Sequence, residues 1–216
     1  FLVYLPIYDM WQEASERFLA FDIHKMQQRA PLFIRAIHTI YNSGYDVDYI
    51  SDNFIRSTGI KNGKLVTSGG SSYKALVIPA VRYMPADILS HLVQLAKEGA
   101  TIVFIGNYPE DVPGFGDLDE RRKRFRRAWE KLPATASFDE TETNSLQKGR
   151  IITGSDYSLA LQACGVAREE MKTRFGLQCI RRSNATGYHY FIASLQKKGV
   201  DGWIPLGVQA NAAILF

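Results

Sequence analysis

Three short, nearly uninterrupted apolar runs constrain this chain more than any other feature: residues 1–7 (FLVYLPI), 75–79 (ALVIP) and 101–106 (TIVFIG). A run with no polar alternation reads as a strand buried on both faces, which is the situation of a parallel sheet. Amphipathic helices separate the runs. Pro31 is followed by Leu32, Phe33, Ala36, Ile37, Ile40 and Tyr41, with Gly44 beyond the end. Pro85 opens a second stripe of Ile88, Leu89, Leu92, Val93 and Ala96 that stops at Gly99. Proline near the start and glycine past the end are the residues that begin and stop a helix. Residues 45–51 (YDVDYIS) alternate as a further strand, and residues 64–67 follow an Asn62-Gly63 turn as a short edge strand. Strand, helix and strand repeated with short links predict an α/β fold with a doubly wound, mostly parallel sheet.

After a basic helix over 119–132 and a polar link, a short strand is expected near 150–153 and a helix over about 156–163. From Leu177 the period changes to alternation. Leu177 and Cys179, then Tyr188, Tyr190 and Ile192, flank the turn residues Ser183-Asn184-Ala185-Thr186-Gly187, a hairpin pattern. Residues 202–206 (GWIPL) and 212–216 read as further strands, so the expected organisation is an α/β domain over 1–170 and a β-hairpin segment over 171–216 that begins a β-sandwich.

The 216 residues are 46% hydrophobic and 22% charged, ordinary values for a globular chain. Seven of the 26 bases (Arg121, Arg122, Lys123, Arg124, Arg126, Arg127, Lys131) and three of the 22 acids fall within 119–131, which leaves 19 of each elsewhere. One helix therefore supplies the whole net charge of +4. Its Leu118, Phe125, Trp129 and Leu132 recur at core-packing steps, so it reads as one solvated helix face and no nucleic-acid partner is expected. No apolar run reaches the roughly 18 residues of a membrane span. Both ends read as cuts within a longer chain, Phe1 standing inside one apolar run and Phe216 directly after another. Cys164 and Cys179 fit neither a zinc spacing nor a redox pair, and read as structural thiols.

In an open parallel sheet, ligands sit beyond the carboxyl ends of the strands. Tyr8, Asp9 and Trp11 follow the first strand there, Asp52 the second, Pro79 and Ala80 the fourth, and Asn107 and Tyr108 the fifth. Carboxylates beside aromatic rings suit a sugar, since rings stack on its apolar faces and carboxylates accept from its hydroxyls. The plainer alternative is that Asp9 and Asp52 cap loops and helices. Other chemistries lack their motifs. No phosphate-binding glycine pattern follows the first strand, and Thr67-Ser68-Gly69-Gly70-Ser71-Ser72 precedes a strand, so no cofactor is expected. The turn Val77-Ile78-Pro79-Ala80 carries no Cys or Ser where a class I glutamine amidotransferase, which shares this element order, needs its nucleophile. The four histidines, His24, His38, His91 and His189, have no metal-ligand spacing, and His24 is the one most suited to face a cleft.

The segments FLVYLPIYDMW, GYDVDYISD, SYKALVIPAVRYMP, LAKEGATIVFIGNYPEDVPG, IRRSNATGYHYFIASL and DGWIPL resemble the region that follows the catalytic barrel in bacterial α-L-rhamnosidases of glycoside hydrolase family 106. The resemblance covers about residues 1–115 and 177–216. It implies a flavodoxin-like, amidotransferase-like domain followed by β-sandwich modules, in an exported protein, periplasmic or secreted. It also implies that the catalytic acid and base stand on a barrel that these residues do not include. The expectation is an accessory domain that is not catalytic alone, whose Asp9, Trp11, His24 and Asp52 line a cleft for a rhamnose-containing glycan. The rivals are a scaffold that never meets sugar and a stand-alone amidotransferase-like protein without its nucleophile.

Overall fold

The computed structural model describes residues 1–12, 23–137, 140–196 and 199–215. In chain order the elements are β1 (Leu2–Tyr4), α1 (Ile7–Gln12), a 3-10 turn (Ile23–Lys25), α2 (Met26–Arg29), α3 (Pro31–Asn42), β2 (Asp48–Ile50) and α4 (Asp52–Arg56). Then come β3 (Gly59–Lys61), β4 (Lys64–Val66), β5 (Ser72–Tyr73), β6 (Leu76–Ile78), α5 (Ala86–Glu98), β7 (Thr101–Ile105) and α6 (Leu118–Trp129). The chain continues through β8 (Thr141–Leu146), β9 (Gly149–Gly154), α7 (Tyr157–Ala163), α8 (Glu170–Phe175), β10 (Leu177–Ser183) and β11 (Tyr188–Ser194).

Six strands form the main sheet in the order β2-β1-β6-β7-β9-β8. All neighbours are parallel except β8, which pairs antiparallel with β9 at the edge. The chain winds from β1 outward to β2, then returns to the other side of β1 and proceeds through β6, β7 and β9. Because side chains alternate across a strand, each apolar run feeds two cores. Leu2, Tyr4, Leu76, Ile78, Ile102, Phe104 and Ile151 point to the layer that holds Leu89 and Leu92 of α5 and Phe125 of α6. Val3, Val77, Val103, Ile105 and Ile152 point to the opposite layer, with Phe33, Ala36 and Ile40 of α3 and Leu161 of α7. Burial on both faces is why the strands could not tolerate polar alternation. Each large side chain so enclosed contributes roughly 1.5–3 kcal/mol.

The predicted helix boundaries at Pro31, Gly44, Pro85 and Gly99 stand, and Asp156 caps α7 by accepting the N–H groups of Ser158 at 2.6 Å and Leu159 at 3.1 Å. Asn62 and Gly63 both have positive φ, 52° and 69°, and turn β3 into β4 within a separate three-stranded sheet. The polar stretch 141–146, expected as a link, is the edge strand β8. Only one of its neighbours needs to be apolar there, so the sequence pattern does not reveal it.

Two expectations for the C-terminal part are corrected. Residues 202–206 and 212–215 form no strand, and Phe216 lies outside the described residues. Trp203 is 97% exposed, and Pro205 lacks the N–H that a ladder requires, so residues 202–206 find no partner strand. Among the described residues after Phe175, the strands are the single antiparallel hairpin β10–β11. Cys164 and Cys179 are buried and unpaired, in two different cores.

The hairpin is anchored by Glu169, which is only 2% exposed. Its carboxylate accepts from Arg181 at 2.6 Å, the Tyr190 hydroxyl at 2.8 Å and the Gly207 N–H at 2.7 Å. Its own N–H donates to the Gly44 carbonyl at 2.7 Å. One buried carboxylate thereby ties the end of α3, the hairpin and the C-terminal segment together.

Candidate functional site

The carboxyl edge of the sheet is shaped by the short segments that leave β1, β2 and β6. Pro6 ends the first run, and α1 carries Tyr8, Asp9 and Trp11 outward. Asp9 does not face open solvent. Its Oδ1 accepts the Tyr83 N–H and its Oδ2 the Arg82 N–H, both at 2.7 Å. Those two amides belong to the loop after β6, next to β1 where the winding reverses and an open sheet of this kind offers its donors to a ligand. Asp9 occupies those donors itself. Burial raises the Asp9 pKa above its ordinary value, and the two backbone hydrogen bonds oppose that rise.

Asp52 begins α4, is 6% exposed, and accepts from the Tyr4 hydroxyl at 3.1 Å. Burial raises its pKa too, with the Tyr4 hydrogen bond and Arg56 pulling the other way. Tyr4, at the end of β1 and fully buried, is pushed well above its usual value by burial and then by Asp52. Arg56 links α4 to α5 through Asp87 at 2.7 Å and also holds Asn53 at 2.8 Å. Tyr8 lies in the field of Asp52, Arg56 and Asp87, and burial raises its pKa. The structure thus gathers Tyr4, Tyr8, Asp9, Asp52, Arg56 and Asp87 into one electrostatic neighbourhood.

Trp11 stands at its rim, 52% exposed, with its ring edge-on to Tyr8 at 5.4 Å between centroids. His24 is exposed on the 3-10 turn. Of the four residues singled out in the sequence, Trp11 and His24 are exposed, whereas Asp9 is half-buried with one backbone N–H on each oxygen and Asp52 is buried. Arg56, Arg82, Tyr83 and Asp87 were not anticipated. The backbone amides of residues 82–83 carry no side-chain signal, and Arg56 gains meaning only when α4 meets α5.

Farther along the same edge, Asn107 and Tyr108 follow β7. Tyr108 is buried between Phe104 at 4.8 Å and Trp129 at 6.1 Å, and its hydroxyl has no hydrogen-bond partner. An open concavity of about 430 Å³ lies beyond it, lined by Trp129, Arg126, Glu130 and the Asp111–Arg122 pair. Arg122 grips Asp111 through two nitrogens, and this holds the Asp111 carboxyl below its ordinary range. Among the described residues no group of three His, Cys, Asp or Glu is placed to hold a metal ion, and no helix is long and apolar enough to cross a membrane.

Comparison with known proteins agrees with this architecture. A family model described as α-L-rhamnosidase, glycoside hydrolase family 106, matches residues 21–213. The structure of the rhamnosidase from Novosphingobium sp. PP1Y superimposes on 68% of this chain with a TM-score of 0.51 and 25% sequence identity, and the match takes up 14% of that protein. A Formosa agariphila protein named "Putative beta-glucuronidase" is 34% identical over 85 residues, which are 38% of this chain and 7% of the relative. This chain therefore spans a small share of the length of the proteins it matches. The relatives named here are glycoside hydrolases. With a family model that takes in most of its residues, the chain belongs to the α-L-rhamnosidase family, glycoside hydrolase family 106.

Proposed function

We propose that this chain is an accessory domain of an α-L-rhamnosidase-like glycoside hydrolase, and that the rim carrying Trp11 meets the glycan while the acid and base of hydrolysis stand elsewhere in the longer enzyme. The observation that carries the reading is the state of the two carboxylates. An inverting pair needs one carboxyl free to protonate the leaving group and one free to activate water. Here both Asp9 oxygens are taken by backbone donors, and Asp52 is buried against Tyr4. Their role is to position: Asp9 fixes α1 against the loop after β6, and Asp52 fixes α4 against β1. What remains for sugar is the half-exposed Trp11 face, braced by Tyr8, and the exposed His24 on the 3-10 turn as a further polar group. The five parallel strands, in the order β2-β1-β6-β7-β9, also favour a flavodoxin-like description of the sheet. In this reading the parent enzyme is exported, to the periplasm or beyond, and its substrate is a rhamnose-containing glycan.

The test is a titration of the chain with L-rhamnose and methyl rhamnoside followed by Trp fluorescence, beside an assay with an aryl rhamnoside. Binding without turnover, weakened about tenfold or more by Trp11→Ala, is the expected result. Turnover by this chain would overturn the assignment of the chemistry elsewhere. Absence of binding would leave a scaffold role, which the backbone-bonded Asp9 and the Glu169 anchor equally serve.

A further inference from the structure

Away from the carboxyl edge, on the outer side of the α3 and α7 layer, lies an open groove of about 650 Å³. Its charged lining is of one sign. Arg35 and His38 come from α3, Arg168 from the segment before α8, and Thr39, Asn42 and Ser158 add hydroxyl and amide groups. Among the described residues no carboxylate lines it. The described acids nearest in sequence are committed elsewhere: Asp46 pairs with Arg181 at 3.4 Å, Asp156 caps α7, Glu169 is buried on Arg181, and Glu170 pairs with Arg174 at 2.9 Å. Among the described residues neither Arg35 nor Arg168 has a carboxylate within ion-pair distance, although elsewhere on the surface Arg56, Arg82, Arg122 and Arg174 each have one.

The placement is rigid. Arg35, His38 and Asn42 fall at steps of three and four on the solvent face of α3, whose other face is core. Arg168 is held beside the end of α3 because Glu169 donates to Gly44 at 2.7 Å. The approach is so close that a Cβ on Gly44 would stand 2.5 Å from the Glu169 carbonyl oxygen. Guanidinium groups that face no described carboxylate in a concave surface focus positive potential and match the planar geometry of carboxylate and sulfate.

We propose that this groove between α3, α7 and Arg168 binds an acidic carbohydrate, one bearing carboxylate or sulfate groups, at a site separate from the Trp11 rim. The choice of carbohydrate rests on the reading of the parent as a glycan hydrolase; the anionic character rests on the groove alone. The role is to hold the charged units of a chain while neutral units lie elsewhere.

The experiment uses the 216-residue chain, titrated by calorimetry with a uronic-acid tetrasaccharide, the same tetrasaccharide with its carboxyls reduced to alcohols, and a sulfated neutral tetrasaccharide. One or both acidic sugars should bind and the reduced one should not, the acidic sugar that binds identifying the anion. Arg35→Ala and Arg168→Ala should each weaken binding about tenfold or more, with the thermal midpoint unchanged because both side chains are exposed. Arg124→Ala with Arg127→Ala on α6 is the control for unspecific attraction to positive charge, and should leave binding intact. The proposal fails if the reduced sugar binds equally, if no acidic sugar binds, or if only the α6 variant loses affinity. Retention of rhamnose binding at Trp11 in the Arg35 and Arg168 variants separates its failure from that of the function proposed above.

Discussion

At the scale of single residues, the ionisable groups that burial displaces set the behaviour most open to measurement. Asp9 and Asp52 titrate above the ordinary aspartate value of 3.8 in the folded chain. The folded state then keeps protons that the unfolded chain releases, so their contribution favours folding below that value and is lost as pH rises through the raised ones. Asp111, lowered by Arg122, works in the opposite sense, favouring folding above the ordinary value and losing that effect as pH falls. Carboxyl-detected NMR titration should place Asp9 and Asp52 on one side of the ordinary value and Asp111 on the other. Asp52→Asn keeps an acceptor for Tyr4 without the buried charge, and should leave the chain at least as stable at neutral pH. A loss above about 1 kcal/mol in urea unfolding would contradict that. Lys172 is a second case. Its Nζ is buried without a hydrogen-bond partner, 3.6 Å above the Tyr41 ring centroid, and burial lowers its pKa. Between that lowered value and the ordinary one the unfolded chain binds more protons, so stability climbs with pH across that interval. Lys172→Met should flatten the climb and raise the neutral-pH thermal midpoint. A lower midpoint would mean that the contact with Tyr41 outweighs desolvation.

At the scale of elements, two close approaches control how helices and strands meet. Gly44 has φ +92° and lies against the Glu169 backbone, so Gly44→Ala meets both strain and a clash. It should cost well over about 1 kcal/mol, and hydrogen exchange should show the loosening at α8 and the hairpin before the main sheet. Glu169→Ala should cost about 3–5 kcal/mol, because Arg181, Tyr190 and the Gly207 amide lose their shared acceptor. If denaturant unfolding of that variant moves by less than about 1 kcal/mol, the anchor is not what holds the hairpin. The sheet itself depends on neither contact, since β1, β6, β7 and β9 are joined through their own ladders and two apolar layers.

At the scale of the whole molecule, the two ends of the chain differ in how completely they are covered. The main sheet has helices on both faces, whereas β10–β11 packs one face on Met171 and leaves Ile180 and its cross-strand partner Phe191 exposed at 60% and 68%. Two strands with a bare apolar face are marginal by themselves. Ile180→Ser with Phe191→Ser should change the unfolding free energy by no more than about 0.5 kcal/mol. The same pair of changes should reduce concentration-dependent association in sedimentation, and unaltered association would show that this face is not the adhesive one.

The winding of this chain is a local matter. The apolar runs at 1–7, 75–79 and 101–106 each supplied a strand covered on two sides, and Pro31, Gly44, Pro85 and Gly99 marked the helices between them, because backbone restriction and hydrophobic period are local properties. The strand ends, and with them Asp9, Trp11 and Asp52, followed from that order. Tertiary structure alone decided what those residues do. Asp9 meets amides 73 and 74 positions away, Asp52 meets Tyr4 across 48, and Arg168 meets the face of α3 only because Gly44 lets Glu169 approach. β8 escaped notice because an edge strand needs little apolar character, and 202–206 misled because a strand is defined by its partner. Period and composition describe a segment, whereas pairing, saturation of a carboxylate and the charge of a groove are relations between segments, and only the folded chain brings those segments together.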